Sequence, residues 1–242
     1  MEDKIKLLEP IGEVLINKDD IINLLNTKTF PIFYDGFEPS GRMHIAQGLL
    51  RMQDGIFIFW IADWFGLLNN KMGGDLNKLK NIDHYFIEVR KAARMKMHNV
   101  KFLMASDEIN KRPNDYSLRV LDLARKFNVV DQLFYACMQC NDIFFLEAIG
   151  QLFYQIHFRK VNMLAREYAD KSTDAYKSII MFHYMMMGLF EGLPKMAKLD
   201  LNLNIFMEDS AEDVKKIIKY AYWPTQVIKD NPVLDNTKEI IF

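Results

Sequence analysis

The sequence predicts a doubly wound parallel α/β sheet with a helical C-terminal tail. Three observations predict it. Apolar runs rich in β-branched and aromatic residues alternate with amphipathic stretches of helical period along most of the 242 residues. One run, "GIFIFWIADWFGLL" (55–68), is almost continuously apolar, as a strand covered on both faces must be. Half of the residues are apolar and 26% are charged, which is enough apolar material for a substantial core.

Residues 1–28 read as helical approach segments, because "KDDIINLLNTK" has an acidic first turn and a basic end, as the helix dipole favours. "TFPIFYDGF" (29–37) reads as a buried strand running into a turn, and "HIAQGLLRMQ" (44–53) as a helix start. Residues 55–68 then form an interior strand, and "NNK" (69–71) a turn. "LKNIDHYFIEVRKAARMKM" (79–97) is an amphipathic helix, "VKFLMAS" (100–106) a short strand and "YSLRVLDLARKF" (116–127) a helix. "DQLFYACMQCNDIFFLEAI" (131–149) is apolar enough to be a core helix and turn. "RKVNMLAREYADK" (159–171) is helical, and "KSIIMFHYMMMGL" (177–189) supplies a final strand and the loop after it, with the methionines as core filler. "SAEDVKKIIKYAYW" (210–223) opens with Ser210 and has Asp213 three residues on, close to a capping box. No linker or repeat marks a strong domain boundary.

Bulk properties exclude several functions. There are 31 basic and 32 acidic residues, a net charge of −1, so no global basic field exists and nucleic-acid contact would need a local patch. The run "RKAARMKMHNVK" (90–101) is basic, but such helix faces are commonly just solvated. Cys137 and Cys140 have CxxC spacing but no second ligand pair, which reads as two buried thiols in a reducing compartment and not a zinc site. The start "MEDKIKLLEPIGEVL" lacks a signal-peptide core, and apolar runs are broken well short of a bilayer span. The expectation is a soluble cytoplasmic protein. No G-x-G-x-x-G follows a strand, which argues against a dinucleotide oxidoreductase.

The stretch "YDGFEPSGRMHIAQG" (34–48) interrupts this apolar pattern with an acid, two glycines, a proline, an arginine and a histidine. It falls where the first strand ends and a helix begins, the carboxyl edge at which open α/β sheets bind ligands. Gly36 and Gly41 permit close backbone approach, and His44 falls in a first helical turn that favours phosphate. From the residues alone this reads either as a nucleotide-phosphate site or as a plain strand-to-helix turn with a surface histidine.

The same stretch closely resembles the signature region of tyrosyl-tRNA synthetases of the archaeal and eukaryotic type, with "HIAQ" where class I synthetases carry HIGH. Further stretches match in order: "IFWIADWFGLLNNKMGGDL", "FYACMQCNDIFFL", "RKVNMLAREYAD", and "EGLPKMAKLD" followed by "IFMEDSAEDV". "KMAKL" stands where the family has its mobile KMSKS loop. The resemblance covers residues from about 30 to the C-terminus, and it implies a Rossmann-like catalytic domain over 1–209, with 210–242 starting a helical C-terminal region. It implies a tyrosine–tRNA ligase that activates tyrosine with ATP, Mg²⁺ entering with the ATP, and then charges tRNA(Tyr). Homodimerisation is typical of the family.

Residue roles follow from matched positions. The resemblance implies that Tyr34 and Asp142 contact the substrate phenol, and that Tyr135, Gln139 and Asp75 contact its ammonium. Gly36 would lie beneath the ATP ribose. His44 would contact ATP phosphate, Gln47 takes the second-histidine position, and Lys195 and Lys198 would clamp pyrophosphate, on a loop flanked by Gly192 and Pro194. Tyr34 with Asp142 argues against the related tryptophan enzymes, since indole offers no hydroxyl. The lesser reading makes Tyr135 and Gln139 ordinary residues of one helix face, and Asp63 is expected to orient backbone at a strand end. His84, His98 and His183 receive no role.

Three departures from the family stand out. His157 and Phe158 replace an Asp–Gln pair, "KMAKL" lacks both loop serines, and connections near 49–55 and 128–133 are short. A parallel strand pair needs a dozen or so connecting residues, so "LLRMQDG" is too short if "IFYDG" and "FIFWIAD" are sheet neighbours. Either the chain is a degenerate, non-catalytic synthetase-like binding module, or it is the ordered part of a longer one.

Overall fold

The computed structural model describes residues 14–16, 31–43, 45, 56–93, 97–127, 134–148, 150–153, 159–173, 176–182, 186–193, 195–196 and 203–241. Among them lies a six-stranded sheet, built from β1 (Val14–Ile16), β2 (Ile32–Phe37), β3 (Ile56–Ile61), β4 (Val100–Met104), β5 (Gly150–Phe153) and β6 (Ile179–Phe182). The order across the sheet is β1-β6-β5-β2-β3-β4. From β2 to β6 every neighbouring pair is parallel, and β1 closes one edge antiparallel to β6. The chain moves outward from β2 through β3 and β4, then returns to the other side of β2 with β5 and β6. The order therefore reverses between β2 and β5, and such a switch point is where α/β sheets open a ligand crevice.

The helices are α1 (Asp63–Leu68), α2 (Leu76–Ala92), α3 (Ala105–Lys111), α4 (Pro113–Lys126), α5 (Phe134–Phe145), α6 (Arg159–Asp170), α7 (Ala211–Tyr220) and α8 (Pro232–Ile241), with a 3₁₀ turn at Lys71–Gly74. Their ends follow local chemistry. Pro113 starts α4 at a position where a missing N–H costs nothing. Ser210 caps α7 by accepting from the Asp213 N–H at 3.2 Å, as the sequence predicts. Asn231 caps α8 through Oδ1, which accepts from Val233 and Leu234.

Packing divides the chain into two units. The first is drawn from Met1–Pro39, Met52–Leu79 and Lys96–His183, the second from Ser40–Arg51, Lys80–Met95 and Tyr184–Phe242. The first holds the whole sheet. Its core joins Tyr34, Ile58 and Trp60 of the strands to Tyr116, Val120 and Leu123 of α4 and to Cys137, Cys140 and Ile143 of α5. Both cysteines are buried free thiols, and burial pushes each thiol up from its ordinary value. The second unit has its own small core of Met186, Leu189, Met196, Ile205 and Val233, so one methionine of "MMM" is core.

Four expectations change. Residues 14–16, expected to be helical, form an edge strand. The run 55–68 is not one strand: it ends at Ile61, and Asp63 starts α1. Strand β5 was not anticipated, because four residues carry too little periodicity to register. Finally, β2 and β3 are parallel neighbours in direct register, Ile32 with Ile56 through Phe37 with Ile61. The link between them is the whole of 38–55, not its last few residues, and that meets the crossover requirement.

Candidate active site

Four implied substrate residues meet at the switch point in the first unit. Tyr34 lies on β2, with Ile58 beside it on β3 and Gln151 on β5. It is 1% exposed, and its hydroxyl has no hydrogen-bond partner among the described residues. Burial, then the nearby Asp142 carboxyl, pushes its phenol well above the ordinary tyrosine value. Tyr135, Gln139 and Asp142 sit at i, i+4 and i+7 of α5, hence on one helix face. Asp142 is 3% exposed. The Gln139 side-chain oxygen is buried and unpartnered. Tyr135 is close enough to feel the Asp142 charge.

Asp142 is held by two donors that sequence reasoning missed. The Trp60 indole N–H donates to Oδ2 at 3.0 Å, and the Tyr116 hydroxyl donates to Oδ1 at 2.8 Å. Burial pushes the carboxyl well above the ordinary aspartate value, and these two hydrogen bonds oppose that push. Separations of 82 and 26 residues left no sequence signal for either contact.

Glu38, also missed, anchors the rim of this cluster. It accepts from the Tyr135 hydroxyl at 2.7 Å and the Asn69 amide at 2.6 Å, and Lys71 lies 3.9 Å from it. The Tyr135 ring stands edge-on against Phe65 at 5.1 Å. Gly36 is exposed at the carboxyl end of β2. A Cβ there would sit 3.6 Å from the Tyr34 ring and 3.7 Å from Trp60, so its absence leaves bare backbone beside both rings.

Asp75 has a structural duty. Its Oδ1 accepts from the N–H groups of Asn77 and Lys78, which caps α2, and its Oδ2 lies 3.8 Å from the Lys78 ammonium. Asp63 does what the sequence suggested: fully buried, it accepts from the N–H groups of Trp64 and Ser106 at 3.0 and 2.9 Å, tying the starts of α1 and α3 together.

In the second unit, the segment leading to His44 is stitched to the "IFMED" stretch. Ile45 N–H donates to Ile205 and Met207 N–H to Met43. Arg42 pairs with Glu208 and Asp209, and its guanidinium lies 4.2 Å over the Phe206 ring. Tyr85 donates to Glu208 and receives the Met43 N–H, and burial with that carboxylate raises its phenol to about 12. Lys195 is half-buried, three residues after Gly192, whose φ of +77° a side chain would strain. His44, Gln47 and Lys198 lie outside the described residues, as do Pro194, His157, Phe158, His183 and the short connections at 49–55 and 128–133. His84 and His98 are exposed. Among the described residues, no group of three or more His, Cys, Asp or Glu could hold a metal ion, and no helix is long and apolar enough to cross a membrane.

A parallel sheet that reverses at β2/β5, with polar side chains converging on that point, defines a Rossmann-like catalytic domain of the class I kind. The chain belongs to the class I tRNA synthetases of the tryptophan and tyrosine type, whose family model matches residues 26–130 and 124–239, and within them it groups with the tyrosyl enzymes. It is 45% identical to tyrosine–tRNA ligase 1, cytoplasmic, of Arabidopsis thaliana, over 100% of this chain and 69% of that one. That alignment runs over 269 positions against 242 residues here, so the relative holds stretches this chain lacks. Leishmania major tyrosyl-tRNA synthetase, solved in complex with tyrosinol, superposes with a TM-score of 0.85 at 41% identity, covering 92% of this chain and 37% of that one. The Aeropyrum pernix tyrosyl-tRNA synthetase gives 0.87 at 26% identity, covering 100% of this chain and 78% of that one.

Proposed function

We propose that this chain carries the catalytic region of a cytoplasmic tyrosine–tRNA ligase. It activates tyrosine with ATP, Mg²⁺ arriving with the nucleotide, and passes the tyrosyl group to tRNA(Tyr). Residues 1–209 form that region, and 210–242 a helical C-terminal part. The observation that supports the reading is an unpartnered tyrosine hydroxyl, Tyr34, buried beside a carboxyl group, Asp142, at the sheet's switch point.

In this reading the substrate phenol accepts from the Tyr34 O–H and donates to a remaining lone pair of Asp142. A site built to bond a hydroxyl rejects the analogue without one by a large factor, because its own polar groups are then stranded. The Gln139 oxygen and the Tyr135–Glu38 pair face the substrate ammonium with acceptors and negative charge, and Asp75 adds its outer oxygen. The tyrosine carboxylate then attacks the α-phosphate in line and pyrophosphate leaves. That step needs positioning and positive charge more than proton transfer. Gly36 leaves room for the ribose, His44 and Gln47 contact the nucleotide, and Lys195 and Lys198 draw off the pyrophosphate. The retained lysines keep the electrostatics of a KMSKS loop that has lost its serines.

Tyrosine-dependent ATP–pyrophosphate exchange by the purified chain tests this. Exchange with tyrosine but not tryptophan is expected. A blank at high protein concentration, with tyrosine still bound, would mean a binding module without adenylation, which the replacement of the Asp–Gln pair by His157 and Phe158 would then explain.

A further inference from the structure

We propose that Trp60 and Tyr116 are positioning residues of the phenol pocket: they fix the Asp142 carboxyl so that it accepts from tyrosine, and they thereby set how strictly the site rejects phenylalanine. The inference rests on the reading of this cluster as a tyrosine pocket.

The geometry gives each donor one oxygen. Trp60, from β3, occupies Oδ2, and Tyr116, from α4, occupies Oδ1. An indole N–H can only donate, so Trp60 fixes which way the carboxyl plane faces. Each oxygen keeps a second lone-pair direction for an incoming hydroxyl. Neither donor is free to swing. The Tyr116 ring stands edge-on to Phe145 at 5.1 Å, and the Trp60 ring packs on the same Phe145 at 6.2 Å. Phe145 is itself buried and carries the Arg112 guanidinium 4.2 Å from its ring centre.

Electrostatics point the same way. Asp142 is buried, and the groups that share its surroundings are Tyr34 from β2, Tyr116 from α4, and Tyr135 and Cys140 on its own helix. The influences that favour its ionised form are the Tyr116 and Trp60 hydrogen bonds. Without one of them the carboxyl takes up a proton at higher pH and loses its fixed orientation. A neutral, reorienting carboxyl is a poorer acceptor for a phenol. It is also a cheaper neighbour for a phenyl ring than a stranded anion, so selectivity falls from both sides.

The test uses Tyr116→Phe and Trp60→Phe, which remove the donors and keep an aromatic ring. Affinities for L-tyrosine and L-phenylalanine are measured by titration calorimetry from mildly acidic to mildly alkaline pH, with circular dichroism and melting to confirm folding. Each variant is expected to lower the tyrosine-to-phenylalanine affinity ratio about ten- to a hundredfold, the scale of a hydrogen bond to a charged group. The pH at which tyrosine binding reaches its plateau moves upward. Equal weakening of both ligands, with the ratio and pH profile unchanged, means a merely structural role and overturns the inference. A parent chain that binds no tyrosine overturns the pocket reading and the inference together, whereas a parent that binds tyrosine beside variants of unchanged ratio overturns the inference alone. If Trp60→Phe fails to fold, Tyr116→Phe decides.

Discussion

Replacing Tyr34 by Phe should strengthen the free protein and weaken its hold on tyrosine. The ring is enclosed at 1% exposure and its hydroxyl has no described partner, so the folded chain carries a desolvated, unsatisfied O–H. Such a group costs about 1–3 kcal/mol, and phenylalanine removes it while keeping the ring's packing. A net gain of about 1 kcal/mol is expected, which in a chain of this size raises the melting temperature by roughly 2–4 °C. Tyrosine loses one hydrogen bond, and its affinity falls about five- to tenfold. Two measurements check this: melting without ligand, and tyrosine titration by calorimetry. The folded Tyr34 phenol titrates above its ordinary value of 10.0, so the wild-type residue's stability is whole below that pH and is lost above it as the unfolded chain ionises first. The variant's advantage should therefore widen in alkaline solution. A variant that melts below the parent and binds tyrosine as well as before would show that this hydroxyl is neither orphaned nor aimed at substrate.

Other residues give separate outcomes. Asp63→Ala strands the N–H groups of Trp64 and Ser106 and should cost about 2–4 kcal/mol in urea unfolding. A loss below the scale of one hydrogen bond would contradict the bridging role. The Asp142 carboxyl is raised above its ordinary 3.8, so its stability is whole below that value and declines as pH rises towards the folded one. Paired unfolding of the parent and Asp142→Asn should show the gap moving in favour of Asn from acid to neutral pH, and a constant gap would refute it. Lys195→Ala and Lys198→Ala should each slow pyrophosphate exchange about a hundredfold or more while calorimetric tyrosine affinity stays at the parent value. A parallel loss of tyrosine affinity would remove them from phosphate chemistry.

The alternation of apolar runs with amphipathic stretches made the parallel sheet and its helices legible, because the longer elements each bury a whole face. The signals failed where that condition fails. Strand β5 has four residues, β1 has three, and the β3–α1 junction runs through apolar residues that suit either state. At the site, the strand-end stretch could be read locally, whereas Tyr135, Gln139 and Asp142 were reached through the resemblance, their helical spacing placing them only on one face of α5. The supports could be read neither way. Trp60 was hidden in an apolar run, Tyr116 in an amphipathic helix and Glu38 among turn residues. Their importance comes only from what the fold brings beside them.

Three aspartates show why residue type alone does not assign a role here. Asp63 and Asp75 each use one oxygen to accept two backbone N–H groups at a helix start, a local bargain that holds whatever ligand is present. Asp142 sits in mid-helix, where backbone N–H groups are already bonded within the helix, so its partners are side chains from two other elements. An acid at a helix start satisfies its own chain end. An acid buried in a helix interior, beside an orphaned hydroxyl, satisfies nothing local and raises its own ionisation cost. Such an arrangement is expected to persist where a third donor arrives from outside, and tyrosine is the amino acid whose side chain brings a phenolic one.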